Sequence, residues 1–183
     1  MMGTAAEILC IAIIVLEVIS LLMRLKDLSW SVLAFYTVLS NILTLISCAL
    51  ALEISGLQIL RYLSTCMMTM TFLVVVFVLI PLGGSPKELL FSGTGLFHHL
   101  LCPVLNFVSY VFFEPHSRLW PVPVAFTFAY GILMLWLNHK GIVDGPYPFF
   151  RIRTQKASST VMWMAALTCL ITVISLAVRW AAK

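Results

Sequence analysis

Residues 58–82 read QILRYLSTCMMTMTFLVVVFVLIPL, and their only charged residue is Arg61. A helix needs about 20 mainly apolar residues to cross the hydrocarbon layer of a membrane. This stretch meets that requirement. Working outward, five more segments do so: 4–23, 29–52, 95–113, 120–138 and 158–180. Between them lie helix stops or charges: Arg24-Leu25-Lys26-Asp27, Ser55-Gly56, Gly83-Gly84-Ser85-Pro86, Glu114-Pro115-His116 and the run from Gly141 to Lys156. The pattern predicts an all-α polytopic membrane protein, a single six-helix domain over residues 1–183. Its loops are short except the fifth, so neighbouring helices should pack antiparallel.

Composition agrees. The chain is 62% hydrophobic and 10% charged, with mean hydropathy +1.08, whereas soluble chains carry about a quarter charged residues. The net charge of +4 is spread over loop ends, which argues against nucleic acid as a partner and for a topology signal. Seven of the eleven Lys and Arg residues fall in loops one, three and five. That bias places the odd-numbered loops in the cytoplasm, with both termini outside. Met1 to Ala6 hold no Lys or Arg, so the first apolar segment reads as a retained helix and not a signal peptide. The five cysteines lie in apolar segments without a CxxC pair, the pattern of buried, inert thiols. The expected location is the inner (plasma) membrane.

Two polar stretches interrupt this apolar background. The second segment holds Thr37, Ser40, Asn41, Thr44 and Ser47, at offsets that share one helical face. In the fourth segment, His99, Cys102, Asn106 and Ser109 follow helical spacing, with His98 adjacent and Pro103 a potential kink. Successive helical residues point about 100° apart, so one histidine faces inward and the other elsewhere; the shared face with Asn106 favours His99 as the inward one. Small hydroxyl residues also line ordinary helix contacts in membranes, but an Asn among the hydroxyls favours a cavity wall.

Topology gathers these groups. Thr37 lies about seven residues into its segment, or ~10 Å deep. Glu17, Trp136, Asn138 and His139 sit toward the same end, beside loop five with Tyr147-Pro148-Phe149. An acid within a membrane helix is a functional candidate expected to have a partner. Glu17 either orients a histidine or is protonated and hydrogen-bonded to a hydroxyl.

Tyr36-Thr37-Val38-Leu39-Ser40-Asn41 resembles the "FTNLSN" stretch of bacterial Pr6Pr-type membrane proteins. His99 to Leu105 is similar to their "HxxxPxL" element, and Tyr147-Pro148-Phe149 to their "YPYPF" loop. Those proteins are similar in turn to the androgen-induced (FAR-17a) and androgen-dependent membrane proteins, some of which hydrolyse fatty acid esters of hydroxy fatty acids. The resemblance implies a threonine-dependent lipid ester hydrolase with Thr37 as nucleophile and His99, or the adjacent His98, as base. It requires no metal or organic cofactor. The Asn that often follows the family threonine is Val38 here.

In that mechanism His99 takes the Thr37 proton, an acyl-threonine forms, and water releases the acid. Ser40, Asn41 and Asn106 are oxyanion candidates. Tyr147, Pro148, Phe149 and Trp136 are candidates for the substrate mouth. The expected partner is a membrane lipid or lipid ester; no obligatory protein partner is evident. The alternative is a lipid- or solute-binding or transport protein, though no inverted repeat is visible. A haem or metal site on His98, His99 and His139 is the third reading, disfavoured because adjacent histidines do not chelate from one helix face.

Overall fold

The computed structural model describes residues 3–24, 30–54, 56–115, 117 and 119–182. Several features of the sequence reading lie outside the described residues. They are the first break at Leu25–Asp27, the start of the second segment at residue 29, Ser55, His116, and the topology charges Lys26, Arg118 and Lys183.

The chain is all-α, with no strand among the described residues. Six helices are long and apolar enough to cross a membrane, which makes this a multi-pass membrane architecture. They are α1 (Thr4–Arg24), α2 (Tyr36–Glu53), α3 (Gln58–Leu79), α5 (Gly93–Phe113), α6 (Pro121–His139) and α7 (Ala157–Ala181). A short α4 (Pro86–Leu90) lies in the third loop. There Ser85 caps the helix by accepting from the Glu88 N–H (3.4 Å), and Pro86 opens it, as expected for a residue with fixed φ and no N–H.

Two features depart from the sequence reading. The second helix starts at Tyr36 and not at 29, because a 3₁₀ turn (Trp30–Ala34) and an extended Phe35 precede it. Thr37 is therefore in the first turn of α2 and not two turns deep. In addition, α3 ends in a π-helical turn (Val75–Leu79), and α5 contains another (Leu96–Leu101). A π turn winds less per residue than an α turn and shifts the faces on either side of it.

The hub is α3, which packs against α2, α5, α6 and α7. In α3, 61% of the apolar stretch is buried, against 28% in α1 and α7. The large core cluster joins α3, α6, α7 and loop five around Tyr62, Met67, Tyr130, Phe150 and Ile171. A smaller one, Cys10, Ile13 and Cys48, joins α1 to α2. Large apolar side chains such as Phe77, Phe112 and Val161 point outward, as lipid-facing surfaces require, while the backbone polar groups are satisfied within helices.

Candidate functional site

Placement in the first turn of α2 gives Thr37 a backbone N–H with no intrahelical acceptor. The Tyr147 hydroxyl, reaching in from loop five, accepts from it at 3.3 Å and also meets Thr37 Oγ1 at 3.1 Å. One phenol thus caps the helix and engages the candidate nucleophile. The Thr37 carbonyl accepts from Ser40 Oγ (2.9 Å) and Asn41 Nδ2 (2.6 Å). Ser40 Oγ in turn lies 3.1 Å from Thr71 Oγ1 on α3. The hydroxyl face of α2 is buried throughout, including Thr44 and Ser47.

Thr37 lies on the wall of a mainly apolar pocket, lined also by Thr71, Val74, Tyr130, Phe149, Phe150 and Met164. Its aromatic side is ordered by ring contacts. Tyr147 stacks on Phe149 at 5.0 Å, and Tyr130 meets Tyr36 edge-on at 5.1 Å. Hydroxyls anchor the rings: Tyr36 OH to Thr127 Oγ1 at 2.8 Å, and Tyr130 OH donating to the Ala34 carbonyl at 2.6 Å. Of the four mouth candidates, Tyr147 and Phe149 line this pocket. Pro148 is exposed where the loop-five 3₁₀ turn begins, and Trp136 is 52% exposed on the outer face of α6.

The histidines divide in the opposite sense to the sequence expectation. His98 is the fully buried one: its Nε2 is 2.7 Å from Ser20 Oγ and 3.7 Å from Glu17 Oε2, both on α1. His99 is half-buried, and its Nδ1 donates to the Leu89 carbonyl at 2.7 Å, leaving Nε2 as the basic nitrogen of the neutral ring. The physical reason is the π turn through both residues. Its slower winding brings His98, and not His99, into line with buried Cys102 and Asn106.

Thr37 and the histidines occupy the same end of the bundle, but among the described residues no hydrogen bond joins Thr37 to His98 or His99. The two oxyanion candidates on different helices are also separately engaged. Asn106 Nδ2 donates to Thr65 Oγ1 (3.4 Å), and the carbonyl oxygens of Asn41 and Asn106 are buried with no hydrogen-bond partner. Both Glu17 oxygens are likewise buried without a hydrogen-bond partner.

At the opposite end lies a cluster that sequence reasoning missed. Arg61 Nε and Nη2 donate to Glu114 Oε2 and Oε1 at 2.8 and 2.6 Å, and Ser109 Oγ donates to Glu114 Oε1 at 2.6 Å. Arg61 Nη1 also reaches Cys48 Sγ at 2.9 Å. Both charges are 2% exposed and line a second pocket with Glu7, Glu53 and Gln58. The available signal was one Arg inside an otherwise uncharged span.

Among the described residues no group of three or more His, Cys, Asp or Glu side chains is placed to hold a metal ion. Comparison with family models, curated proteins and solved structures finds no match for the chain.

Proposed function

We propose that this protein is a membrane-embedded hydrolase of lipid esters, with Thr37 as nucleophile and His99 as base, acting on fatty acid esters of hydroxy fatty acids or related lipid esters. The observation that carries this reading is the position of Thr37 on the wall of a mainly apolar pocket. Acyl chains fit such a lining, and the Thr37–Tyr147 hydroxyl pair gives the ester group a polar point to approach. The resemblance of three short motifs to those of bacterial Pr6Pr-type membrane proteins supports the same residues. Attack by Thr37 Oγ1 requires its proton to leave toward an imidazole nitrogen. Tyr147 holds that hydroxyl at 3.1 Å, so the reaction requires Tyr147 to release Thr37 or to relay its proton. The reading includes an inner-membrane location with odd-numbered loops cytoplasmic, supported by seven of eleven basic residues lying in those loops.

A second reading is non-catalytic lipid binding in the same pocket. It is favoured by the hydrogen bond of Thr37 to a phenol and not to an imidazole.

Hydrolysis of a long-chain hydroxy-fatty-acid ester and a p-nitrophenyl ester by purified protein in nanodiscs separates the two. Thr37→Ala and His99→Ala should each lower turnover by about 100-fold or more in protein that remains folded. Wild type that binds a fluorescent acyl ester but hydrolyses neither substrate would establish the binding reading instead. Loss of activity in His98→Ala but not His99→Ala would move the base to His98.

A further inference from the structure

Glu17 is the most anomalous group in the molecule. It lies seven residues before the end of α1, about 10 Å along the helix axis. Val15, Val18 and Ile19 around it are 49%, 41% and 42% exposed on the outward face, while Glu17 turns inward and is 0% exposed. Neither of its carboxyl oxygens has a hydrogen-bond partner. An ionised carboxylate there is cut off from solvent with no strong donor, a combination that buried charges do not tolerate without compensation.

What faces it is equally specific. His98 Nε2 lies 3.7 Å from Glu17 Oε2, and Ser20 Oγ lies 2.7 Å from the same nitrogen. The Cys102 thiol, a weak donor, is the other titratable group beside it. From α2, packed on the same side, the titratable Cys48 meets Cys10, two helical turns away from Glu17. Among the described residues no Lys or Arg is paired with Glu17.

We infer that Glu17 and His98 form an intramembrane proton-binding site, with the Ser20 hydroxyl hydrogen-bonded to the imidazole. The site holds one proton at zero net charge. On Glu17 it leaves a neutral acid and a neutral imidazole; moved from Oε2 to Nε2, it leaves a carboxylate and an imidazolium in contact. Loss of that proton strands a bare carboxylate in the apolar layer, and gain of a second adds a net charge there; burial disfavours both. The contrast with Glu114 is instructive. That carboxylate accepts from Arg61 twice and from Ser109, so its charge is compensated without a proton. The inference does not depend on the hydrolase reading, because Thr37 takes no part in it.

Dicyclohexylcarbodiimide tests it directly. This apolar reagent reacts with protonated carboxyls. The acid proton goes to one reagent nitrogen and the carboxyl oxygen bonds to the central carbon. An acyl shift to nitrogen then leaves a stable N-acylurea, with no leaving group. The modified peptide therefore gains the mass of the whole reagent. Purified protein in nanodiscs, labelled across a pH series and mapped by mass spectrometry, should carry the adduct on Glu17 and not on Glu114. Labelling should fall as pH rises. His98→Gln removes the group that stabilises the carboxylate, so it should move the midpoint of that fall upward by about one pH unit or more. Folded wild type without a Glu17 adduct would overturn the proposal, and so would labelling indifferent to pH or a profile unchanged in folded His98→Gln. Should that variant not fold, the wild-type map and its pH profile decide alone.

Discussion

Replacing Glu114 with Ala removes the acceptor of three charge-assisted hydrogen bonds, two from Arg61 and one from Ser109, and leaves a guanidinium at 2% exposure facing a void. Hydrogen bonds to charged groups contribute about 1.5–3 kcal/mol each, but they are not additive within one cluster. Removing one partner of a buried pair costs about 3–5 kcal/mol, chiefly through the stranded charge. That is the magnitude expected here, and at about 2–4 °C per kcal/mol for a chain of this size it lowers the unfolding temperature by about 6–20 °C. The stranded-charge account makes a second demand. The double variant Arg61→Met, Glu114→Leu removes both charges and should recover most of the lost stability. Thermal unfolding in nanodiscs, followed by tryptophan emission, measures both. A Glu114→Ala loss below about 1 kcal/mol would put the pair in the class of exposed ion pairs and refute the reasoning. A double variant no more stable than Glu114→Ala would refute the stranded-charge explanation in particular.

Two further outcomes follow from local geometry. The Tyr62 hydroxyl lies 2.6 Å from the Ser175 carbonyl and 2.7 Å from Ser175 Oγ, tying α3 to α7; Tyr62→Phe should cost about 1–3 kcal/mol in the same unfolding assay. A Cβ on Gly131 would meet Met164 Cε at 2.8 Å, the flexible end of a side chain that lines the pocket. Gly131→Ala should therefore be nearly neutral, while Gly131→Leu should weaken binding of a fluorescent acyl ester about tenfold or more with helicity unchanged by circular dichroism.

Much of this architecture was legible in the sequence because the bilayer constraint is severe. Apolar runs such as 58–82 have no competing interpretation, and the observed span Gln58–Leu79 falls inside it. The buried stripe Thr37, Ser40, Asn41 and Thr44 was legible for the same reason: α-helical spacing held unbroken along α2. His98 and His99 were not assignable, because both fit the spacing of Cys102 and Asn106 until the π turn decides the phase, and no residue pattern announces a π turn. The start of α2 was misplaced because Leu28 to Phe35 is as apolar as the helix that follows; only the backbone shows the 3₁₀ turn and the extended residue. The pairing of Arg61 was not legible because its partner Glu114 lies 53 residues away, beyond the reach of local sequence pattern. Trp136 shared an end of the bundle with loop five, yet sequence position does not determine which side of α6 it occupies.

The bond between Thr37 and Tyr147 spans 110 residues, which sets an order of assembly. The lining of the pocket is drawn from α2 and α3 on one side and from α6, loop five and α7 on the other. A chain made from its N-terminus inserts the first pair long before the second. During that interval the first turn of α2 has no Tyr147 to cap it, and Thr71 and Val74 have no aromatic wall to face. The cavity is thus a late product of biogenesis, completed only when the last loop returns to the first turn of the second helix and α7 packs behind it. Any truncation upstream of Tyr147 yields helices without a pocket.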